Sequence, residues 1–343
     1  MLRSRPISGI ALLAILLLPT ALHAGTTLER IRQTGTLRCG INRERPEYST
    51  SDDHGARAAF DADLCRAVAV ALLGPGAKVA VTQYDDDVTS MAALGGGKVD
   101  LLPTLTFDLT HATAAGIIFS PPVLYDGVGF LVPASADIAH AEQLGGKKIC
   151  FLAETEVEVA LRQWFGQQQI KFLPFPFQEE GEMEAAFMTG NCTALAGDRT
   201  RLANTRLSLG EKYALLPEQV SSDPLAAASR ADDAAFARIV FWTMEVLLNA
   251  EESGLTQKNI AAARSRPDAA GVDEAAQTLL GQTGATGTQL GLRSNWAAEV
   301  IAAVGNYGEI YARDLDEGSP LKLPRGENRL ARDGGLMLPL PLK

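Results

Sequence analysis

Short apolar segments alternate with helix-forming segments twice along this chain, and that double rhythm restricts the fold more than any other feature. TLERIRQTG (27–35) predicts an opening helix, and TLRCGIN (36–42) a short strand. FDADLCRAVAVALLG (60–74) predicts an apolar-striped helix ended by Gly74, and KVAVTQY (78–84) an alternating strand. VTSMAALGGGK (88–98) reads as a helix stopped by glycines, then VDLLPTL (99–105) and GVGFLVP (127–133) as buried strands. The rhythm restarts with strand-like LGGKKICFL, helical EVEVALRQWFGQQQ, strand-like IKFLPFPF, helical EEGEMEAAFMTG and strand-like CTALAGD, which leads into a polar turn. Repeated βα units imply an α/β protein with mostly parallel sheets, and two units of similar length imply two similar lobes. The remainder, from DDAAFARIVFWTMEVLLNAEESG to SNWAAEVIAAVGNYGEIYARDL, is helical, with its Trp and Phe residues expected in the core.

The chain opens MLRSRPISGIALLAILLLPTALHA: a basic start, a short apolar run and a small-residue end. This predicts a secretory signal cleaved after Ala24, the run being short for a span of about 20 residues. Cleavage removes Arg3 and Arg5 and no acid, so the formal charge of −10 becomes −12. So acidic a chain, without a basic stripe, argues against nucleic acid and against anionic lipid as partners. Four cysteines, Cys39, Cys65, Cys150 and Cys192, follow the leader. They allow three connectivities, and export favours disulfides over free thiols. Pairing Cys39 with Cys65 and Cys150 with Cys192 would place one staple in each half. None of the spacings matches a zinc site.

Nucleotide loops are missing, as are the Gly-x-Ser-x-Gly elbow and paired His ligands. A cofactor-bearing enzyme has little support, and no cofactor or metal is expected. An exported chain of two α/β lobes fits a protein whose hinge closes a cleft around a small-molecule ligand.

Several segments together carry a resemblance: TLERIRQTGTLRCGIN, AFDADLCRAVAVALLG, VDLLPTLTFDLTHAT, YDGVGFLV, WTMEVLLNAEESGLTQKNI and the tail GSPLKLPRGENRLARDGGLM. They resemble the periplasmic amino-acid-binding proteins of ABC importers (solute-binding protein family 3), and within them the branch that binds many L-amino acids. The resemblance implies a type II two-lobed binding protein with two hinge strands, Cys39–Cys65 and Cys150–Cys192 disulfides, a periplasmic location, and a permease partner in the inner membrane. A monomer is expected. The expected boundaries are 1–24 for the signal, 25–132 with 223–343 for lobe 1 and its helical extension, and 133–222 for lobe 2.

The same resemblance assigns a site. The family grips an α-carboxylate with an Arg in a Ser/Thr-Arg-Asp step and with a Gly-Thr-Thr turn at a helix N-terminus. An acidic residue in lobe two takes the α-ammonium. Here FDLTHAT places Thr110 and His111 in the first device, beside Asp108. A His carries one donor and little charge at neutral pH where an Arg would carry a fork and a full charge. AETEVE places Glu154 and Glu156 around Thr155 in the second device, where they would repel a carboxylate or occupy the helix N–H groups as caps. AGDRT keeps Asp198 for the ammonium. Arg199, Arg201, Arg43 and Arg45 could supply relocated cations, and Tyr48 or Phe60 an aromatic wall, Phe60 at its helix start being equally suited to the core. The expected ligand is a small polar solute, cationic or neutral at its head, rather than an ordinary L-amino acid in the usual mode. Two other readings remain open at this point: a secreted enzyme similar to cyclohexadienyl dehydratases, with Glu154 or Glu156 as its acid, and a receptor reporting to a membrane sensor.

Overall fold

The computed structural model describes residues 27–42, 60–114, 116–210, 212–265, 274–283 and 286–342. The predicted signal, Arg43, Arg45 and Tyr48 lie outside the described residues.

The first half runs α1 (Thr27–Thr34), β1 (Thr36–Asn42), α2 (Phe60–Leu73), β2 (Lys78–Tyr84), α3 (Asp87–Gly95), β3 (Leu101–Thr106), α4 (Leu109–Ala112) and β4 (Ile117–Asp126). The second runs β5 (Val128–Pro133), β6 (Lys148–Leu152), α5 (Glu156–Gln167), β7 (Leu173–Phe177), α6 (Glu180–Met188), β8 (Ala194–Asp198), α7 (Arg199–Leu209) and β9 (Tyr213–Leu215). The chain then returns through β10 (Asp223–Arg230) to α8 (Ala234–Glu252), and further helices include Trp296–Val304 and Tyr307–Asp314.

Two five-stranded sheets result, ordered β2-β1-β3-β10-β4 and β7-β6-β8-β5-β9. In each, four strands run one way, and one strand delivered from the other lobe is inserted antiparallel beside the third. The two lobes therefore share one topology, as the repeated rhythm implied. Their boundary lies earlier than expected: the GVGFLVP strand, assigned from sequence to lobe 1, pairs with β8 and β9, so sheet membership changes at Gly127 rather than after 132. A strand buried on both faces looks alike in either sheet, so its pattern could not say which one it joins.

Apolar side chains sort to both faces of each sheet. Leu37, Phe60, Leu64, Val68, Phe236 and Tyr311 belong to a large cluster that also takes in Leu321, Leu323 and Met337 of the C-terminal extension. Leu94, Val99 and Leu102 cover the opposite face. In lobe 2 Phe130, Phe151 and Phe165 pack on one side, and Leu131, Met183 and Phe187 on the other. One disulfide, Cys39–Cys65, ties β1 to α2, and Cys150–Cys192 ties β6 to the turn before β8.

The chain crosses between lobes at Asp126–Val128 and again at Val220–Asp223. The crossings touch: the Val128 N–H donates to Ser221 Oγ at 2.9 Å, and the Gln219 amide donates to the Asp126 carbonyl at 2.9 Å. A Cβ on Gly127 would stand 2.1 Å from the Ser221 carbonyl oxygen, so only glycine permits this approach. The C-terminal extension braces both crossings. Asn328 brackets the Tyr125 N–H and carbonyl at 2.7 and 2.8 Å, and Glu327 accepts from Gln219 and Ser222 at 2.9 and 2.7 Å.

Candidate functional site

Parallel strands leave the carboxyl ends of a sheet open to ligands, and Thr155, Glu156 and Asp198 stand at such ends in lobe 2. Leaving β6, the chain turns through Glu154 with φ +60°, a left-handed conformation that a glycine would adopt without strain. Thr155 follows as the N-cap of α5, yet its hydroxyl turns back to the Leu152 carbonyl at 2.8 Å instead of capping the helix. Glu158 does the reciprocal work, accepting the Glu154 N–H at 3.3 Å and pairing with Arg162 at 2.7 Å. Arg162 first, and then that N–H, hold Glu158 below the usual carboxylate range. The sequence had offered Glu154 and Glu156 as caps. Neither carboxylate does this: both residues are exposed, and Glu158 closes the turn.

Opposite, β8 ends at Asp198, the N-cap residue of α7. The polar turn expected after CTALAGD is this helix. Between the starts of α5, α6 and α7 lies a cavity of about 240 Å³. Val128, Leu152 and Leu195 form its apolar walls, with Thr155 and Thr205 among its hydroxyls. Among the described residues five acids line it, Glu156, Glu180, Glu184, Asp198 and Asp223, against one cation, Arg201. Arg201 is already paired, its Nη1 3.0 Å from Glu180 Oε1, and Thr205 donates to Glu184 at 3.1 Å. Asp223 sits at the second crossing. Burial raises its carboxyl above the ordinary range, the Ser221 hydroxyl at 2.9 Å opposes this, and Asp126, Glu156 and Glu327 add to the rise.

Lobe 1 presents a different arrangement. Asp108 is the N-cap of α4 and accepts both the His111 backbone N–H and a contact from its ring Nδ1, each at 2.8 Å. Burial would raise Asp108, but these His111 contacts outweigh it and hold the carboxyl below its ordinary value. His111 therefore sits just past the end of a core strand, as its sequence position implied, with one ring nitrogen engaged by an acid. Thr110 beside it is exposed. Asp108, Thr110 and His111 do not line the cavity that holds Thr155, Glu156 and Asp198. Phe60 is fully buried in the core and offers no aromatic wall.

Arg199 departs furthest from the expectation. It is 5 % exposed, and its Nη1 donates to the carbonyls of Leu216, Pro217 and Glu218 at 2.9, 3.2 and 2.9 Å, on the side of α7 away from Asp198. The cation of the cavity is Arg201 instead. Arg201 was among the cations the sequence offered, whereas Glu180, Glu184, Thr205 and Asp223 were not singled out. Arg201 and Thr205 stand i,i+4, and that spacing would have found them had α7 been recognised as a helix.

No protein-family model matches the chain. The chain is 35 % identical over 335 residues, 96 % of each sequence, to the general L-amino acid-binding periplasmic protein of Rhizobium johnstonii. It is 31 % identical over 326 residues, 93 % of this chain and 94 % of the other, to a glutamate/glutamine/aspartate/asparagine-binding protein of Rhodobacter capsulatus. Among solved structures, a periplasmic binding protein of an ABC transporter from Brucella ovis, with glutathione bound, matches 92 % of this chain and 99 % of its own. Its TM-score is 0.75 at 35 % identity. With two lobes of the same topology, a polar cavity at their strand ends and relatives aligned along nearly the whole length, this chain belongs to the periplasmic solute-binding proteins of amino-acid ABC transporters.

Proposed function

We propose that this protein is an exported, monomeric receptor that captures a small polar solute with a cationic or neutral polar head and delivers it to an ABC permease in the inner membrane. The leader at 1–24 would direct export. One observation carries the specificity: among the described residues five carboxylates line the cavity, and the one arginine lining it is already paired with one of them. A cation entering such a site is attracted, whereas a free carboxylate meets repulsion without an unpaired guanidinium to receive it. Asp198 and Glu156 would face the ligand from lobe 2, with Asp108 and His111 brought over it as the lobes close. The exposed Glu154 adds negative charge at the rim.

The relatives' names point to acidic and amide amino acids and to glutathione, so these are the decisive comparators. A panel of basic amino acids, diamines, glutamate, glutamine and glutathione, read by ligand-induced thermal stabilisation, tests the assignment. A ligand at 100 times its Kd adds about 2.7 kcal/mol of stability. Stabilisation by cationic solutes alone supports the reading, and micromolar binding of glutamate or glutamine by calorimetry refutes it.

A further inference from the structure

On the far side of α7 from the cavity lies a groove of about 600 Å³ between lobe 2 and the C-terminal extension. Lobe 2 contributes Arg199 and Arg206, and the extension contributes Lys322, Arg325 and Arg329, with Asp316 the one acid among the lining residues. Five cations against one acid is a reversal for a chain with 31 basic and 41 acidic residues.

Their partners make the groove more unusual. Among the described residues only Arg325 of these five is matched to a carboxylate, meeting Glu251 with two nitrogens. Arg199 is committed to carbonyls through Nη1 alone, and Asp126, Glu218 and Glu327 support its charge from a distance without forming an ion pair with it. Arg206 donates to the Leu321 carbonyl and, at 3.3 Å, to that of Lys322. Arg329 donates to the Gly326 carbonyl at 3.1 Å. Burial lowers the basicity of both Arg199 and Arg206, which is the mark of cations taken from water without full compensation. Carbonyl contacts satisfy N–H groups but leave the charge unbalanced. An oxyanion would supply both the missing charge and acceptors suited to guanidinium forks.

We propose that this groove is a second ligand site, one that binds a phosphate-class, multivalent oxyanion between α7 and the C-terminal extension. Its ligand is opposite in charge to that of the cavity, and the two sites share only helix α7: Asp198 and Arg201 face one, Arg199 and Arg206 the other. The proposal does not depend on the identity of the cleft solute.

Calorimetric titration of the mature chain with inorganic pyrophosphate, in low-salt buffer free of phosphate, tests it. One saturable site is expected, weakening as NaCl is raised. Arg206→Gln and Arg329→Gln should each weaken binding about tenfold. Lys322→Gln combined with Arg329→Gln changes only exposed side chains, so that variant keeps the test decisive if Arg206→Gln melts early. Lys147→Gln with Lys258→Gln removes the same charge elsewhere and should leave binding unchanged. Phosphatidylglycerol vesicles form a second arm: sedimentation that requires the groove cations, without pyrophosphate binding, assigns the same site to a lipid headgroup. Binding of neither probe, or equal losses in the Lys147/Lys258 control, overturns the proposal.

Discussion

Arg201 Nη1 lies 3.0 Å from Glu180 Oε1, so the one cation that lines the cavity among the described residues is occupied by a carboxylate of the same cavity. The pair is partly exposed and contributes little to stability, but it decides what the guanidinium can offer a ligand. Glu180→Gln frees Arg201 and removes one negative charge. Affinity for carboxylate-bearing amino acids is expected to rise roughly 5- to 30-fold in this variant, by about 1–2 kcal/mol. Calorimetry with glutamate on both proteins measures the difference, and an unchanged affinity would show that Arg201 does not face the ligand.

Glu154 keeps a left-handed backbone at φ +60°. Replacement by glycine relieves that conformation, offset in part by the greater freedom of glycine in the unfolded chain. Glu154→Gly is expected to stabilise the protein by about 0.5–1 kcal/mol. Urea unfolding followed by far-UV circular dichroism measures it. Loss of stability would mean that the Glu154 side chain makes a favourable contribution larger than the strain.

At Gly127 the two crossings approach within backbone contact, and a Cβ would reach 2.1 Å from the Ser221 oxygen and 2.9 Å from the Gln219 amide nitrogen. Gly127→Ala must push the crossings apart. A loss of about 2 kcal/mol or more is expected, together with altered ligand affinity, because the displaced strands are those about which the lobes move. Thermal melting and ligand titration on the same variant report both effects.

Asp314 titrates in an unusual range. Its side chain is fully buried, neither oxygen has a hydrogen-bond partner, and the Arg313 Nε stands 3.3 Å from Oδ1. Burial first, and then the nearby Asp63, push its carboxyl from an ordinary 3.8 up to about 7, with Arg313 opposing. Between those values the folded protein holds a proton that the unfolded chain has released. Stability should therefore fall as pH rises through this window and reach a floor above about pH 7. Asp314→Asn should flatten that slope and stabilise the protein at pH 8 by on the order of 1–3 kcal/mol. Melting temperatures of the two proteins from pH 4 to 8 test this, and parallel curves would contradict it.

Reduction separates the two lobes' dependence on their staples. The sequence separations are 26 for Cys39–Cys65 and 42 for Cys150–Cys192, which by loop entropy correspond to about 3.5 and about 4 kcal/mol. Cys150→Ala with Cys192→Ala should lower the melting temperature by several degrees while the first disulfide stays intact by thiol assay. A melting temperature equal to the parent's would argue that the unfolded chain is already compact there.

Much of this architecture was legible before any coordinates. KVAVTQY alternates and is strand β2, and FDADLCRAVAVALL buries Phe60, Leu64 and Val68 as the predicted helix stripe. Strand β4 carries little strand signal in its sequence because Pro121 and Pro122 interrupt it. It tolerates them at the sheet edge, where its one neighbour, β10, shifts register opposite Pro122. Helix α7, RTRLANTRLSL, is polar on most sides and gives almost no periodic signal. Missing that helix hid its phase, which is why Arg199 and Arg201 looked interchangeable. Their side chains in fact serve opposite sides of the same turn. The cysteine pairing inferred by resemblance is the observed one, whereas the capping role offered to Glu154 and Glu156 belongs to Glu158.

The strand each sheet takes from the other half of the chain has a consequence for how this molecule can be born. During synthesis or export the N-terminal end arrives first, but β4 has no sheet neighbour other than β10, which lies about a hundred residues downstream. The leading lobe cannot seal until the whole of its partner has emerged. A chain halted before residue 223 would be left with β3 bare on one side and β4 unattached, a ready template for aggregation.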